Sequence, residues 1–273
     1  GDRISDFAEL YGYGGVDLRY WGADPRKKDI FVEVDYYADR KPTQAALDRV
    51  TTSFANAPVS NPNGTTGIAL HLVLDSQIAA ADADTDLTPV WTDFDVIKAK
   101  YFKSRRAPFF HYALFANTYN GGTSSGISRG IPAHDFVVTL GGWPVAGGTE
   151  LQQAGTLMHE LGHNIGLRHG GNDDSNYKAN YLSQMNYEYQ MYGLRIDGVD
   201  NVLDYSRVRV ASISEAAVNE VSAFAPIAPT TEADLATQRL PVEEQGRIGI
   251  GQQLPSLAAF EIGVEDEALP VET

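Results

Sequence analysis

Three histidines and one glutamate lie within eleven residues of the chain, from His159 to His169. His159 and His163 are one helical turn apart, and Glu160 directly follows the first of them. Imidazoles at positions i and i+4 of a helix point the same way and can share one metal ion at about 2.0–2.1 Å. His169 can join them only if the chain turns, and Gly166 is the residue type that most easily ends a helix. The spacing therefore predicts a three-histidine metal centre.

The chemistry of such a centre follows from its ligands. Three neutral histidines leave one coordination position of zinc open to water and lower the pKa of that water to about 7. A neighbouring carboxylate can take the proton of the water as the oxygen attacks a carbonyl, and can then pass it to the leaving amine. Glu160 is placed for this role of general base and acid. The residues thus predict zinc as the cofactor and hydrolysis as the reaction.

The residues before the histidines favour a helix that presents them. Thr149, with Gln152 three residues later, is typical of a capping box. Apolar residues then recur at steps of three and four, which predicts one buried stripe. The members of this stripe are Leu151, Ala154, Met158, Leu161 and Ile165. His159 and His163 would lie opposite it and face a cleft, with Glu160 on the open side.

The pattern H-E-x-x-H-x-x-G-x-x-H resembles the metzincin clan of zinc metallopeptidases, whose second hallmark is a methionine turn. The segment 183–187, Ser-Gln-Met-Asn-Tyr, resembles that turn. The resemblance implies that Met185 forms an apolar floor beneath the histidines. It also implies that Tyr187 lies near the metal as a fifth ligand and an oxyanion donor; an ordinary packed tyrosine is the alternative. Gly170, after the third histidine, matches no single family of the clan, so the subfamily stays open.

Two other functions are compatible with parts of the sequence. Residues 122–126 fit the pattern G-x-S-x-G, which would make Ser124 the nucleophile of a serine hydrolase. That motif needs a helix directly after the serine, whereas Gly130 and Pro132 disfavour one and a short edge strand is predicted instead. The second alternative is a catalytically silent, zinc-dependent binding module. Glu160 argues against it, because a silent site does not need a base.

An acidic loop raises the question of calcium. Asp82, Asp84, Asp86 and Asp93 occupy positions 1, 3, 5 and 12 of a calcium-loop template. Leu87 stands where that template needs glycine. We interpret the segment as a solvated acidic loop, with calcium binding as the alternative.

Composition limits the partners. The chain has 273 residues, a formal net charge of −15 and no cysteine, which excludes disulfides and thiolate metal ligands. Nucleic acids and anionic membranes need basic patches, so neither is expected as a partner. No run of eighteen apolar residues occurs, and the first residues do not read as a signal peptide. We expect a monomer acting on protein or peptide substrates; secretion is implied by the resemblance alone.

Strand and helix patterns alternate before the histidines and predict an α/β lobe. Strand composition is found at 30–37, 67–74, 109–115 and 135–140, and Thr43 opens a helix. Segment 67–74 is apolar on both faces, which predicts a covered central strand. The resemblance implies a twisted, mostly parallel sheet whose exposed edge binds an extended substrate as an added strand. His71 and His111 are expected to pack within strands.

The domain organisation follows from the position of the site. We predict an extended N-terminal arm (1–28), an N-terminal catalytic subdomain (29–169), and an irregular C-terminal catalytic subdomain with the methionine turn and one helix (170–224). Ser212 and Glu215 form the capping box of that helix. Residues 225–273, rich in proline, alanine and acids, are expected to be a wrapping tail or a linker.

Overall fold

A five-stranded sheet with helices on both faces forms the body of the protein in a computed structural model, which describes residues 2–207. The strands are β1 (Lys28–Tyr37), β2 (Ile68–Ile78), β3 (Asp86–Leu87), β4 (Phe110–Ala116), β5 (Thr118–Tyr119), β6 (Gly126–Ser128), β7 (Asp135–Thr139), β8 (Leu194–Ile196) and β9 (Val199–Val202). The α-helices are α1 (Asp6–Tyr11), α2 (Gln44–Ala55), α3 (Val90–Tyr101), α4 (Glu150–Asn164) and α5 (Tyr187–Gln190).

The order of strands in the main sheet is β2-β1-β4-β7-β6. The first four are parallel, and β6 pairs antiparallel with β7 at one edge. The predicted fold class, α/β with a mixed and mostly parallel sheet, is therefore confirmed. Two short pairs, β3 with β5 and β8 with β9, lie outside this sheet.

Strand β1 shows how the layers are held together, because its successive side chains point to opposite faces. Val32 and Val34 are fully buried in the core that α2 and α4 form with the sheet. On the other face, Phe31 packs against the N-terminal segment and Tyr37 packs in the core around α3. Both faces of the sheet are thus covered, and α4 lies on the face opposite α3.

One expectation about the sheet is wrong. Segment 67–74 was expected to be a central strand, but β2 lies at the edge of the sheet and, among residues 2–207, pairs with β1 alone. Its two faces are covered: Ile68 and Leu70 contribute to the core around α2, and Val73 packs against the N-terminal cluster. Apolar residues on both faces of a strand therefore indicate that other layers pack on both faces. They do not show whether the strand lies in the centre or at the edge of the sheet.

The N-terminal segment was expected to be extended, but it is not extended throughout. It contains α1 and a 3-10 helix, Leu18–Trp21. Ser5 caps α1 by accepting a hydrogen bond from the N–H of Ala8, and Ala8 and Leu18 are buried against Phe31. Tertiary burial stabilises this helix, because a helix of six residues is not stable by itself in water.

The C-terminal part of the prediction is only partly covered by the structure. The predicted helix from Ser212 and the tail 225–273 lie outside the described residues. Between residues 2 and 207, no helix has both the length and the hydropathy that a bilayer span requires.

Candidate metal centre

Helix α4 carries two of the three histidines and begins as the sequence indicates. The Thr149 side chain accepts from the N–H of Gln152, whose own side chain accepts from the Thr149 N–H. The helix is buried on all sides over its last three turns. Glu160 is therefore only 4 % exposed, although the open side of the helix was expected for it. Strand β6 covers that side, where Gly126 lies next to the Glu160 side chain.

The structure brings the three histidines together. The ligand atoms of His159, His163 and His169 all lie within 4.8 Å of one another. The Nε2 atoms of His163 and His169 are 3.2 Å apart. The ring of His159 is perpendicular to that of His163, with the two centroids 4.7 Å apart. The five residues between His163 and His169 thus turn the chain back, and three imidazoles converge on one point.

Backbone carbonyls fix the orientation of the two helical imidazoles. Nδ1 of His159 lies 3.0 Å from the carbonyl oxygen of Gln184, and Nδ1 of His163 lies 2.8 Å from that of Leu167. A carbonyl oxygen can only accept, so each Nδ1 must carry the proton and donate it. Each Nε2 then keeps its lone pair, which faces the convergence point. This is the tautomer that a metal ligand requires.

Burial keeps the three imidazoles neutral. It lowers the pKa of His163 to about 4 and the pKa of His159 well below its usual value; the neighbouring histidines lower the latter further. Burial also lowers the pKa of His169. Neutral imidazoles bind metal ions, whereas protonated ones cannot.

The donor set fits zinc. Three neutral imidazole nitrogens are typical ligands of a zinc site that keeps one position open. Two such donors at tetrahedral angles lie about 3.3 Å apart, and the Nε2 atoms of His163 and His169 are 3.2 Å apart. The spacing of this pair therefore suits a tetrahedral zinc ion, and the third imidazole lies within reach of the same point.

The segment that resembles a methionine turn packs against α4, the helix that carries His159 and His163. The N–H of Asn186 donates to the carbonyl of Ser183 at 3.0 Å, which closes a tight turn with Met185 inside it. Met185 is fully buried in the same core as Leu161. The carbonyl of Gln184, one residue before Met185, is the acceptor that orients His159. This turn therefore orients His159, while the role of Met185 as an apolar floor beneath the histidines stays a prediction.

Sequence reasoning missed two glycines within α4 that permit this arrangement. A Cβ atom at Gly162 would lie 2.3 Å from Sδ of Met185, and one at Gly155 would lie 2.0 Å from the carbonyl oxygen of Gln190. Gly155 and Gly162 are two turns apart and share one helix face. Glycine inside a helix costs about 1 kcal/mol relative to alanine, so such a pair indicates close approach of another backbone.

The carboxyl group of Glu160 is enclosed by the edge strand. A Cβ atom at Gly126 in β6 would lie 2.8 Å from Oε1 of Glu160. Burial raises the pKa of Glu160 to about 8, and a hydrogen bond from the Ser128 backbone opposes this shift. A dication held by the adjacent histidines would favour the charged carboxylate. Gly126 was considered in the sequence only as part of the serine motif, so its contact with Glu160 was missed.

Tyr187 lies beside the histidines. Its ring centroid is 4.6 Å from that of His169 and 5.4 Å from that of His159. The side chain is 43 % exposed, so it borders the opening of the site. Its backbone N–H donates to the Asn176 side chain at 2.9 Å. Helix α5, which begins at Tyr187, is tied by a hydrogen bond from Gln190 to Ser125, the residue before β6.

Two glycines shape the loop that carries His169. Gly166 has φ +102°, in the region that favours glycine, and the chain leaves the helix there. A Cβ atom at Gly170 would lie 2.4 Å from the carbonyl oxygen of Ser175 and 2.8 Å from Nζ of Lys178. The tight fold of this loop therefore explains why glycine, with no side chain, follows the third histidine.

The geometry does not support a nucleophile at Ser124. Strand β6 follows this serine directly, so the strand-to-helix corner of a nucleophile elbow is absent here. The Ser124 hydroxyl donates to the carbonyl of Gly126 at 3.0 Å. The predicted edge strand is thus found in place of the elbow.

The aspartates of the acidic loop have separate partners. Asp82 is paired with Lys100, Asp86 accepts from Thr118, and Asp93 accepts from the N–H of Thr88. Helix α3 begins before Asp93, at Val90, so Asp93 lies within its first turn. The solvated acidic loop stays the prediction, with calcium binding as its untested alternative.

The two other strand histidines have packing roles. His71 stacks on Phe31 with centroids 4.4 Å apart and lies 2.5 Å from a carboxyl oxygen of Asp29. His111 stacks near His134, with 5.2 Å between centroids, and burial lowers its pKa to about 4. Nδ1 of His111 also lies 3.2 Å from the side-chain amide of Asn164, the last residue of α4.

Comparison with known proteins gives similarity to two solved metalloproteinase structures. Metalloproteinase-II from Bacteroides fragilis aligns with a TM-score of 0.38 and 15 % identity over 70 % of this chain. Archaemetzincin from Methanopyrus kandleri aligns with a TM-score of 0.31 and 14 % identity, over 57 % of this chain and 81 % of its own. The chain spans 57 % of the Bacteroides protein's length. No protein-family model matches, and neither does any curated protein.

Proposed function

We propose that this protein is a zinc-dependent endopeptidase that cuts extended polypeptides. The observation that carries the proposal is the convergence of three neutral histidines beside one enclosed carboxyl group. His159, His163 and His169 have their ligand atoms within 4.8 Å of one another, and Glu160 follows the first of them in α4. Such a set of groups suits hydrolysis of an amide and has no evident use in a purely structural helix.

His159, His163 and His169 would hold the metal through Nε2, with Tyr187 as a possible fifth ligand at rest. Bound zinc supplies a Lewis acid that polarises a carbonyl and lowers the pKa of water to about 7. Glu160 would take a proton from the attacking water and deliver it to the leaving nitrogen. The phenol of Tyr187, on the open side of the site, would donate a hydrogen bond to the oxygen on which negative charge develops.

The edge of the sheet suggests how a substrate would bind. Strand β6 pairs with β7 on one side, and within the described chain its other side has no strand neighbour. An extended peptide can add to such an edge through main-chain hydrogen bonds, which are independent of its side chains. Because Gly126 of β6 contacts Glu160, a peptide bound along this edge would pass next to the base. This arrangement favours protein or peptide substrates.

The test is cleavage of casein by the zinc-loaded protein. The wild-type protein should degrade casein, and a chelator should stop it. Glu160→Ala should abolish cleavage while the protein still binds one zinc ion per chain. Glu150→Gln is a matched control, since Glu150 lies in the same helix but pairs with Arg49 at the surface; its activity should equal that of the wild type.

The alternatives give different results in the same assay. A catalytically silent binding module would bind zinc without cutting casein in either form. A serine hydrolase would keep its activity with chelator and lose it in Ser124→Ala or with serine-directed reagents. Undiminished cleavage by Glu160→Ala would overturn the proposal. Membership of the metzincin clan is a further part of this proposal, supported by the motif. Secretion is implied by that resemblance alone, and a monomeric state is proposed with it.

A further inference from the structure

A second cluster of carboxylates lies where the N-terminal segment meets the start of β1. Asp2, Glu9 and Asp29 each have a carboxyl oxygen within 4.8 Å of the other two. Glu9 and Asp29 are both 2 % exposed, and Asp2 is half-buried. Three acidic groups are thus gathered in a largely dry place, where mutual repulsion is strong unless something offsets it.

Protein donors offset only part of this charge. The two oxygens of Asp2 accept from the N–H groups of Ile4 and Asp29, at 3.1 and 2.7 Å. Asp29 accepts from the Asp24 N–H and contacts His71. Between residues 2 and 207, no lysine or arginine is paired with any of the three acids. The hydrogen bonds hold Asp2 and Asp29 in place but leave the net negative charge.

Glu9 shows that the cluster lacks a partner. Its Oε1 atom is fully buried and has no hydrogen-bond partner. A buried, unsatisfied carboxyl oxygen is costly, and in native proteins it usually marks an ion or a water. Burial, the charges of Asp2, Asp29 and Asp6, and a side-chain hydrogen bond with Asp29 together raise the pKa of Glu9 to about 8. The group therefore binds either a proton or a cation.

We propose that Asp2, Glu9 and Asp29 bind a calcium ion that fastens the N-terminal segment to the sheet. All donors are carboxylate oxygens, which select hard cations rather than zinc. Calcium accepts irregular geometry and six to eight oxygens, so water or backbone carbonyls can complete its shell, whereas magnesium demands a near-ideal octahedron. The ligands come from the N-terminal segment and from β1, so the bound ion would cross-link the two.

Calcium titration of the zinc-loaded protein by calorimetry tests this site. One calcium ion should bind, and Glu9→Gln should weaken its affinity at least about tenfold. Asp48→Asn is the control, because Asp48 is exposed on α2, which packs on the face of the sheet opposite the N-terminal segment; its affinity should be unchanged. Absence of binding up to about 1 mM calcium, the weak end of natural sites, would overturn the proposal. So would equal binding by wild type and Glu9→Gln.

Thermal unfolding distinguishes calcium from a shared proton. If calcium is the ligand, it should raise the melting temperature of the wild type and leave that of Glu9→Gln unchanged. If a proton satisfies Glu9, calcium should have no effect on either form, and the proposal fails. Asp84→Asn tests whether the acidic loop is the origin of the signal, and this variant should bind calcium as the wild type does. Loss of binding in Asp84→Asn, with binding kept in Glu9→Gln, would also overturn the assignment. Asp29→Asn gives a second readout if Glu9→Gln does not fold.

Discussion

His159 donates a hydrogen bond from Nδ1 to the backbone carbonyl of Gln184 at 3.0 Å, although the two residues are 25 positions apart. This bond couples the metal-site helix to the turn around Met185. A displacement of the turn would therefore rotate the imidazole of His159 and change the direction of its Nε2 lone pair. The position of the turn depends in part on Gly162 of α4, because the absence of a side chain there leaves room for Met185.

Gly162→Ala should disturb this coupling. The added Cβ would lie 2.3 Å from Sδ of Met185 and 3.1 Å from a ring carbon of Tyr205, so the turn must move. We expect a loss of stability of about 1–3 kcal/mol from overpacking, together with weaker zinc binding. Denaturant unfolding and zinc titration measure the two effects.

A double variant provides the control for that prediction. Met185→Ala removes the sulfur that the new Cβ would meet. Gly162→Ala should therefore cost less in the Met185→Ala background than in the wild type. Equal costs in both backgrounds would show that the contact between Gly162 and Met185 does not determine the position of the turn.

Gly126→Ala should lower turnover and leave zinc bound. Its Cβ would lie 2.8 Å from Oε1 of Glu160 and 2.7 Å from the carbonyl oxygen of Val137, so the carboxyl group or the edge strand must shift. A misplacement of about 1 Å can cost about a hundredfold in rate. Gly122→Ala is the control, since the nearest atom there is at an ordinary 3.4 Å. Full activity of Gly126→Ala would show that this contact does not position the base.

Tyr187→Phe tests the phenol near the metal. The hydroxyl is lost but the ring contact with His169 is kept, so zinc affinity and stability should change little. Turnover on a peptide substrate should fall several-fold, because one full oxyanion donor is worth about 10²–10³. Tyr192→Phe, at a tyrosine that is 71 % exposed, should retain wild-type turnover. Unchanged turnover in Tyr187→Phe would leave Tyr187 with a packing role.

Stability should depend on pH through a buried acid distant from the metal centre. Burial raises the pKa of Glu33 from 4.5 to about 7, and the ion pair with Arg106 opposes the shift. The folded state thus retains the proton that the unfolded chain has released. The stabilisation is fully present below about pH 4.5 and is lost as the pH rises through about 7.

Urea unfolding of the wild type and Glu33→Gln across this range measures the effect. The fall in stability between about pH 5 and about pH 8 should be smaller in the variant. Glu188→Gln, which alters an exposed carboxyl group, should show the wild-type profile. Parallel profiles for wild type and Glu33→Gln would assign the pH dependence to other groups.

The sequence by itself determined the features that depend on short spacings. The capping box at Thr149 and the alignment of His159 with His163 follow from helix geometry, which is the same in every helix. The α/β class followed from the order of strand and helix patterns. These inferences need no knowledge of what lies across the fold.

Only the tertiary structure decided which distant groups meet. It set the carbonyl of Gln184 against His159, placed Gly126 against Glu160, enclosed a carboxylate expected to be open, and put β2 at the sheet edge. It also gathered Asp2, Glu9 and Asp29 from separate segments. The physical reason is that such contacts depend on how whole layers pack. A glycine within a helix or strand indicates that another part of the chain comes close, but it does not show which part.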